Sequence, residues 1–278
     1  MKNSSNIFIC GTVRNCEPHL EATFRNIAKI VDLFADYRII IAFDESDDKS
    51  LLKLVNQKDV HGAKIDILIN RDPLSPRRTQ NISKGRNMCI DKMIEHTESG
   101  FSADYFIMMD MDNVCSGTMN LDVLERAMAR SDEWDSISFN KGYYYDIWAL
   151  SVDHFVYICW GWSDPCNVVS MMHSYITNRL ATLPAGELLE CRSAFNGFAV
   201  YKTDKFINCK YDWRLPWQYI TQEVYNANKD SLCNAVSVSP YGVVTDEQEC
   251  EHRPFHMMAT HLNNARIRIS PEMLFPCL

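Results

Sequence analysis

The sequence has no excess of positive charge. Its 28 Lys and Arg residues stand against 36 Asp and Glu, a net charge of -8. A surface built to neutralise nucleic-acid phosphates is therefore not expected, although a local pocket could still take a nucleotide. No apolar run approaches the roughly 18 residues that a membrane span needs. The opening Met1-Lys2-Asn3-Ser4-Ser5-Asn6 carries no secretory-signal pattern. A cytoplasmic protein without a membrane span is expected. The 11 cysteines form no CxxC pair, so this is not a small disulfide scaffold, and reduced, buried thiols are expected. There is no internal repeat and no low-complexity segment. Two nucleotide-binding motifs are also missing. No GxxxxGK[ST] stretch occurs, which excludes a P-loop, and Gly11 alone does not make the GxGxxG of a dinucleotide site.

What remains is a chain of 278 residues, 46% of them hydrophobic. That is enough for one large domain with a full core. Its centre is Ile107-Met108-Met109-Asp110-Met111-Asp112-Asn113, where the apolar run Tyr105 to Met109 ends in two carboxylates. On an extended backbone, residues two apart share a face. Paired carboxylates at a strand end can hold Mn²⁺ or Mg²⁺, which prefer oxygen ligands and leave positions for substrate phosphate. The plainer alternative is a solvated loop start.

The surrounding pattern favours a site. Apolar runs at Ile7–Thr12, Tyr37–Phe43, Ile65–Ile69 and Tyr105–Met109 read as strands. Helical spacing appears between them: Leu20 to Phe34, Leu51 to Val55, and Ile82 to His96. Strands alternating with helices predict an α/β fold with a mainly parallel central sheet flanked by helices. Ligands of such sheets bind beyond the carboxyl ends of the strands. Arg14-Asn15, Asp44-Glu45, Asn70-Arg71 and Asp110/Asp112 all fall there. Arg77, Arg78, Lys84 and Arg86 concentrate positive charge between the third and fourth strands. They form either a solvated basic surface or the cations that neutralise a diphosphate, a task suited to the planar arginine fork.

Further along, Leu121 to Met128 reads as a helix and Ile137–Asn140 as a strand. The run Tyr143-Tyr144-Tyr145-Asp146-Ile147-Trp148 is aromatic, with Trp160 and Trp162 after it. Such rings are either core or the flat faces of a sugar cleft. Asp146 among them should be paired or functional. Residues from about Tyr143 to Leu189 are expected to be loops and short helices. Asn196-Gly197 marks a tight turn beside the cleft, before a strand at Phe198–Tyr201. Last comes Thr245-Asp246-Glu247-Gln248-Glu249-Cys250-Glu251-His252-Arg253-Pro254-Phe255-His256, then His261. Three readings stand beside one another. One is a chance acidic turn. A second is a zinc site from Cys250, His252, His256 and His261, although the spacing matches no finger. The third is an active-site rim supplying a carboxylate and a late histidine ligand, His256, to the metal at Asp110 and Asp112.

Several strings carry a resemblance. They are Asp110-Met111-Asp112, Ile82-Ser83-Lys84-Gly85-Arg86-Asn87, Tyr144-Tyr145-Asp146-Ile147-Trp148-Ala149-Leu150, Ser193-Ala194-Phe195-Asn196-Gly197-Phe198-Ala199-Val200-Tyr201, and Cys250-Glu251-His252. In order, over residues 7 to 274, they resemble the GT-A fold glycosyltransferases. More narrowly, they resemble the cryptococcal capsule-associated α-1,3-mannosyltransferase family and its bacterial and viral relatives. The resemblance implies one domain over 1–278, with 7–140 binding a UDP- or GDP-sugar and 141–278 holding a glycan acceptor and the catalytic groups. It implies Mn²⁺ or Mg²⁺ on Asp110 and Asp112, with Arg86 and Asn87 on the donor-side helix. Arg14, Asp44, Arg77 and Arg78 complete the expected donor contacts. Asp146, Trp148, Asn196 and Gly197 are the expected sugar or acceptor contacts. Glu251 is the expected catalytic carboxylate, with Asp246 in reserve. A sugar nucleotidyltransferase is the nearest rival, and a silent nucleotide-sugar-binding module the second; the poor Gly-rich loop after the first strand weighs against the former.

Overall fold

The computed structural model describes residues 4–153, 165–214, 217–219, 221–222 and 250–276. Asp246, Trp160 and Trp162 lie outside the described residues. Four strands open the chain: β1 (Ile7–Val13), β2 (Tyr37–Phe43), β3 (Ile65–Ile69) and β4 (Tyr105–Asp110). Helices α1 (Glu17–Val31), α2 (Ser50–His61) and α3 (Arg78–Glu98) separate them. Then follow α4 (Leu121–Ala129), β5 (Ser136–Asn140), α5 (Pro165–Ala181), β6 (Leu189–Cys191), β7 (Phe198–Lys202), the single turn α6 (Thr203–Phe206), α7 (His252–Asn263) and β8 (Ile267–Met273).

All eight strands join one sheet in the order β3-β2-β1-β4-β7-β5-β8-β6. Strands β1 to β4 are mutually parallel where they pair. Strand β7 runs antiparallel between β4 and β5, which sets β5 and its parallel partner β8 in the direction of β4. Only β6 and β7 run the other way. The sheet is thus mixed but mostly parallel, as the alternation predicted for the first half, and strands from both halves build it.

Side chains alternate between the two faces. Ile7, Ile9, Ile39, Ile41, Ile107 and Met109 pack on one side with α1 and α4. Phe8, Cys10, Ile40, Phe106 and Met108 pack on the other with α3, α5 and α7. Helix α3 approaches β1 closely because position 85 is glycine; a Cβ there would meet Thr12 Cγ2 at 3.0 Å. Cys10, Cys16, Cys89, Cys115, Cys191 and Cys209 are buried thiols, as expected. No helix among the described residues is long and apolar enough to cross a membrane.

Two helices depart from the sequence reading. The stretch expected to be loops and short helices contains α5, 17 residues long. It buries Met172, Ile176 and Leu180 at four-residue intervals, a stripe too narrow to stand out among its polar neighbours. The segment read as an acidic rim becomes α7 from His252 onward. Pro254 sits in its first turn, where a missing N–H costs nothing. The helix carries His256 into the core, fully buried. There Ser193 Oγ lies 2.9 Å from its Nδ1 and Tyr201 Oη 3.1 Å from its Nε2. Burial pushes its pKa down to about 3, aided by the Arg86 charge. Both nitrogens are engaged in the interior, so His256 is not a third metal ligand. The zinc grouping does not assemble either: among the described residues no three His, Cys, Asp or Glu side chains gather as a metal cage.

One charged clip ties the later strands together at their common edge. Asp135, 3% exposed, precedes β5. Its carboxylate accepts from Lys202 Nζ at 3.0 Å and from Arg266 N, Nε and Nη2 at 2.9, 3.0 and 3.1 Å. Burial alone would raise its pKa, but Arg266 and Lys202 outweigh burial and hold it well below the carboxylate range. A lowered folded pKa contributes stability above the unfolded value of about 3.9, lost as pH falls through the folded value. Asp135→Asn should therefore cost about 1.5–3 kcal/mol at pH 7. The gap to wild type should narrow below about pH 4. Urea unfolding at pH 7 and pH 3 measures this; an equal gap at both would assign the loss to packing instead.

Candidate active site

The carboxyl ends of β1, β2 and β4 open into a cleft of about 840 Å³. Its near wall is Thr12 to Cys16, Asp44 and the first turns of α3, including Arg78, Thr79 and Asn81. Arg86, Asp110, Asp112, Glu251 and His252 line it further in. Its far wall is Tyr145 to Trp148, with Val169 and His173 from α5 and Phe195. Three distant segments meet here because parallel strands deliver their ends to one rim and α7 begins beside it.

Asp110 is the last residue of β4. Its N–H donates to Gly197 O at 2.8 Å. Its Oδ1 accepts from Arg86 Nη2 at 3.2 Å and its Oδ2 from Tyr145 Oη at 2.8 Å. Burial pushes its carboxyl up to about 7, opposed by Arg86 and reinforced by Asp112. Asp112 accepts the Val114 N–H on Oδ1 at 3.0 Å; no described residue engages its Oδ2.

Arg86 occupies the floor. It is 4% exposed, and its Nη1 contacts both Glu251 Oε1 and His252 Nε2. Its guanidinium also lies 4.6 Å above the Phe195 ring centre. Burial works against its charge, but Glu251 and then Asp110 outweigh that and raise its pKa. Burial and the Arg86 charge hold His252 well below its ordinary value, so the ring is neutral and its Nε2 can accept.

Asp146 is half-buried in the far wall. Its N–H donates to Asn196 Oδ1 at 3.3 Å and its Oδ1 accepts the Ala149 N–H at 3.2 Å. Burial pushes its carboxyl up to about 6, with the Ala149 N–H opposing and Glu251 adding. Behind both acids sits the Asn196-Gly197 turn, with φ of 53° and 86°. A Cβ on Gly197 would fall 2.2 Å from Val114 Cγ1, so glycine is required for space as well as for φ.

Of the expected residues, Arg14, Asp44, Arg78, Arg86, Asp110, Asp112, Asp146, Trp148 and Glu251 line the cleft. Besides His256 in the core, four others are elsewhere. Asn87 faces the 211 segment, exchanging hydrogen bonds with Tyr211 N and O. The Arg77 guanidinium lies 5.0 Å from the Trp213 ring centre. Asn196 is buried, its Nδ2 donating to Phe139 O at 2.9 Å. Gly197 braces Asp110 from behind. The last two support the acids rather than meet the cleft contents.

Sequence reasoning missed Tyr145, Phe195, His173 and Lys141. Lys141 is a buried cation whose Nζ donates to Val114 O at 2.8 Å, bracing the loop after Asp112. It follows β5, so the rule that found the other strand-end residues would have found it too. His173 had no such signal, because α5 itself was not visible.

The donor set suits a hard divalent ion. Two carboxylates at a strand end, with phosphate and water completing the shell, are what Mg²⁺ or Mn²⁺ accepts. A cation held by Asp110 and Asp112 would also offset the Asp112 repulsion that adds to burial in raising Asp110.

No family model matches the sequence, and no curated protein matches it. The fold has counterparts among solved structures. S. aureus TarS 1–349 in complex with UDP superposes with a TM-score of 0.50 at 12% identity, covering 99% of this chain and 59% of that one. M. tuberculosis glucosyl-3-phosphoglycerate synthase gives 0.42 at 10% identity, over 73% of this chain and 58% of that one. The chain thus spans under three fifths of the length of either structure. Its strand order, its cleft at the strand ends and the first of these likenesses together make the fold GT-A-like.

Proposed function

We propose that the chain is a metal-dependent glycosyltransferase. It moves a hexose, with mannose as the leading candidate from the sequence motifs, from a nucleoside diphosphate donor to a hydroxyl acceptor. The carrying observation is that Asp110 at the end of β4, and Asp112 two residues on, lie in a cleft that also holds cations with no carboxylate partner among the described residues. Arg14 and Arg78 make no ion pair among the described residues, whereas Arg86 is committed to Glu251 and Asp110. Residues 7–140 would bind the donor, and the far wall the acceptor. UDP bound to TarS and to the M. tuberculosis synthase is in keeping with a uridine donor, as the motifs are with a guanosine one.

The chemistry divides among the residues. Asp112 and Asp110 would hold the divalent ion, which when bound offsets charge on the leaving diphosphate. Arg78, at the uncapped start of α3, and Arg14 add positive charge beside it. Glu251 is fixed on the Arg86 guanidinium and faces the cleft, placed to stabilise positive charge developing on the sugar ring.

A thermal-shift panel of UDP-, GDP- and CMP-sugars with and without Mn²⁺ tests the reading. Stabilisation by one donor only when Mn²⁺ is present is expected, and its loss in Asp112→Ala. Mn²⁺-dependent affinity unchanged in that variant would remove Asp112 from the metal site. Release of pyrophosphate from a nucleoside triphosphate would point to the nucleotidyltransferase instead.

Arg78→Ala should weaken nucleoside diphosphate binding by about 1.5–3 kcal/mol and leave nucleoside binding almost unchanged. Calorimetry with both ligands compares the two; equal losses would move Arg78 away from phosphate.

Glu251→Gln should lower turnover by roughly 10²-fold with donor affinity little changed, since its role is exercised in the transition state. Steady-state rates and donor dissociation constants decide; near-normal turnover would leave Glu251 a support for Arg86 alone.

A further inference from the structure

Three buried side chains hold the chain just after β4. Asn26 of α1 donates its Nδ2 to Cys115 O at 2.9 Å and to Gly117 O at 2.8 Å. Cys115 Sγ donates to Gly197 O at 3.1 Å, the oxygen that also accepts the Asp110 N–H. The third is Lys141, 3% exposed, whose Nζ donates to Val114 O at 2.8 Å. Its backbone is fixed directly after β5, where its N–H donates to Asn140 Oδ1 at 2.8 Å.

Asn26 and Cys115 are neutral, and Lys141 is not. An ammonium taken out of water is costly unless a carboxylate pairs with it. Among the described residues no carboxylate lies within ion-pair distance of Lys141, and its hydrogen-bond acceptor is a backbone carbonyl. A neutral side chain would fill the same space without that cost, so packing does not account for the lysine.

What Lys141 reaches does account for it. Val114 offers its C=O to Lys141 and donates its N–H to Asp112 Oδ1 at 3.0 Å, so the lysine and Asp112 grip the same residue. The same Nζ lies 5.3 Å from the centre of the Tyr145 ring. Tyr145 in turn donates its Oη to Asp110 Oδ2 at 2.8 Å. One buried cation thus stands one residue behind each of the two carboxylates assigned to the metal, with an ion pair to neither.

We propose that Lys141 is a positioning residue of the metal site, setting Asp112 through Val114 and Asp110 through Tyr145 so that both can hold a divalent ion. The proposal rests on the metal-dependent glycosyltransferase reading. It also fixes a sign. As a charge alone, Lys141 would repel the ion, and its removal would tighten metal binding. As a brace, its removal weakens binding, because groups that orient metal ligands typically contribute about 10–100-fold in affinity.

The test measures UDP and GDP affinity by calorimetry, in Mn²⁺ and in EDTA, for wild type, Lys141→Met, Lys141→Gln and Tyr145→Phe. Both Lys141 variants should lose roughly tenfold or more of the affinity measured in Mn²⁺ and none of that measured in EDTA. Tyr145→Phe, which removes only the hydroxyl, should show a loss restricted to Mn²⁺ in the same way. Urea midpoints report whether each variant is folded; Lys141→Gln and Tyr145→Phe carry the test if the Met variant is not. Unchanged or tighter Mn²⁺-dependent affinity in the folded variants would overturn the proposal. Equal losses in Mn²⁺ and in EDTA would also overturn it, leaving Lys141 a general support of the cleft. A wild type that binds UDP and GDP no better in Mn²⁺ than in EDTA would instead overturn the metal-dependent reading beneath it.

Discussion

The Arg86 guanidinium is the contact on which the cleft depends. It joins the middle of α3 to the end of β4 through Asp110 and to the start of α7 through Glu251, 165 positions away in sequence. A buried charge cluster is a poor source of net stability, because desolvation offsets the attraction. Removing one partner is another matter, since it strands the remaining charge at a cost of about 3–5 kcal/mol. What the cluster supplies is position. It fixes the Asp110 and Glu251 carboxylates in the cleft from a single planar group.

Most of the first half was legible because its signals are local. Apolar runs of five to seven residues ended in polar clusters, and parallel strands must place those clusters on one rim. The bounds of β2 and β3 were read directly. Asp110 and Asp112 followed from the same rule, and Arg78 and Arg86 from the positive charge concentrated between the third and fourth strands. The second half was harder for physical reasons. Strand β8 contains Pro271, which reads as a breaker, yet the register shift between Phe139 and Asn140 accommodates it. Strand β6 is only three residues long and signals little.

The role of individual residues was less legible than their placement. Arg86 reads in sequence as one more cation of a basic stretch, on the helix from Ile82, the natural partner of a phosphate. Only the fold brings Glu251 to it and leaves Arg14 and Arg78 without an ion pair among the described residues. His256 reads as a ligand because histidine beside acids often is one. Whether a helix turns it inward is decided by Phe255, Ala259 and the α7 face they define, not by its neighbours in sequence. Asn196 and Gly197 look like residues that meet a substrate, and they act instead from behind the acids.

The Asp135 clip lies where β5 and β8 begin and β7 ends, so it occupies the rim opposite the cleft. Cohesion and chemistry are therefore housed at the two ends of the same strands, with the full thickness of the sheet core between them. Changes that tighten or loosen one end need not be felt at the other. An engineer seeking a hardier protein, or a place to attach a surface linker, has a natural working face at the Asp135 end. The cleft would stay open to solvent on the far side of the molecule.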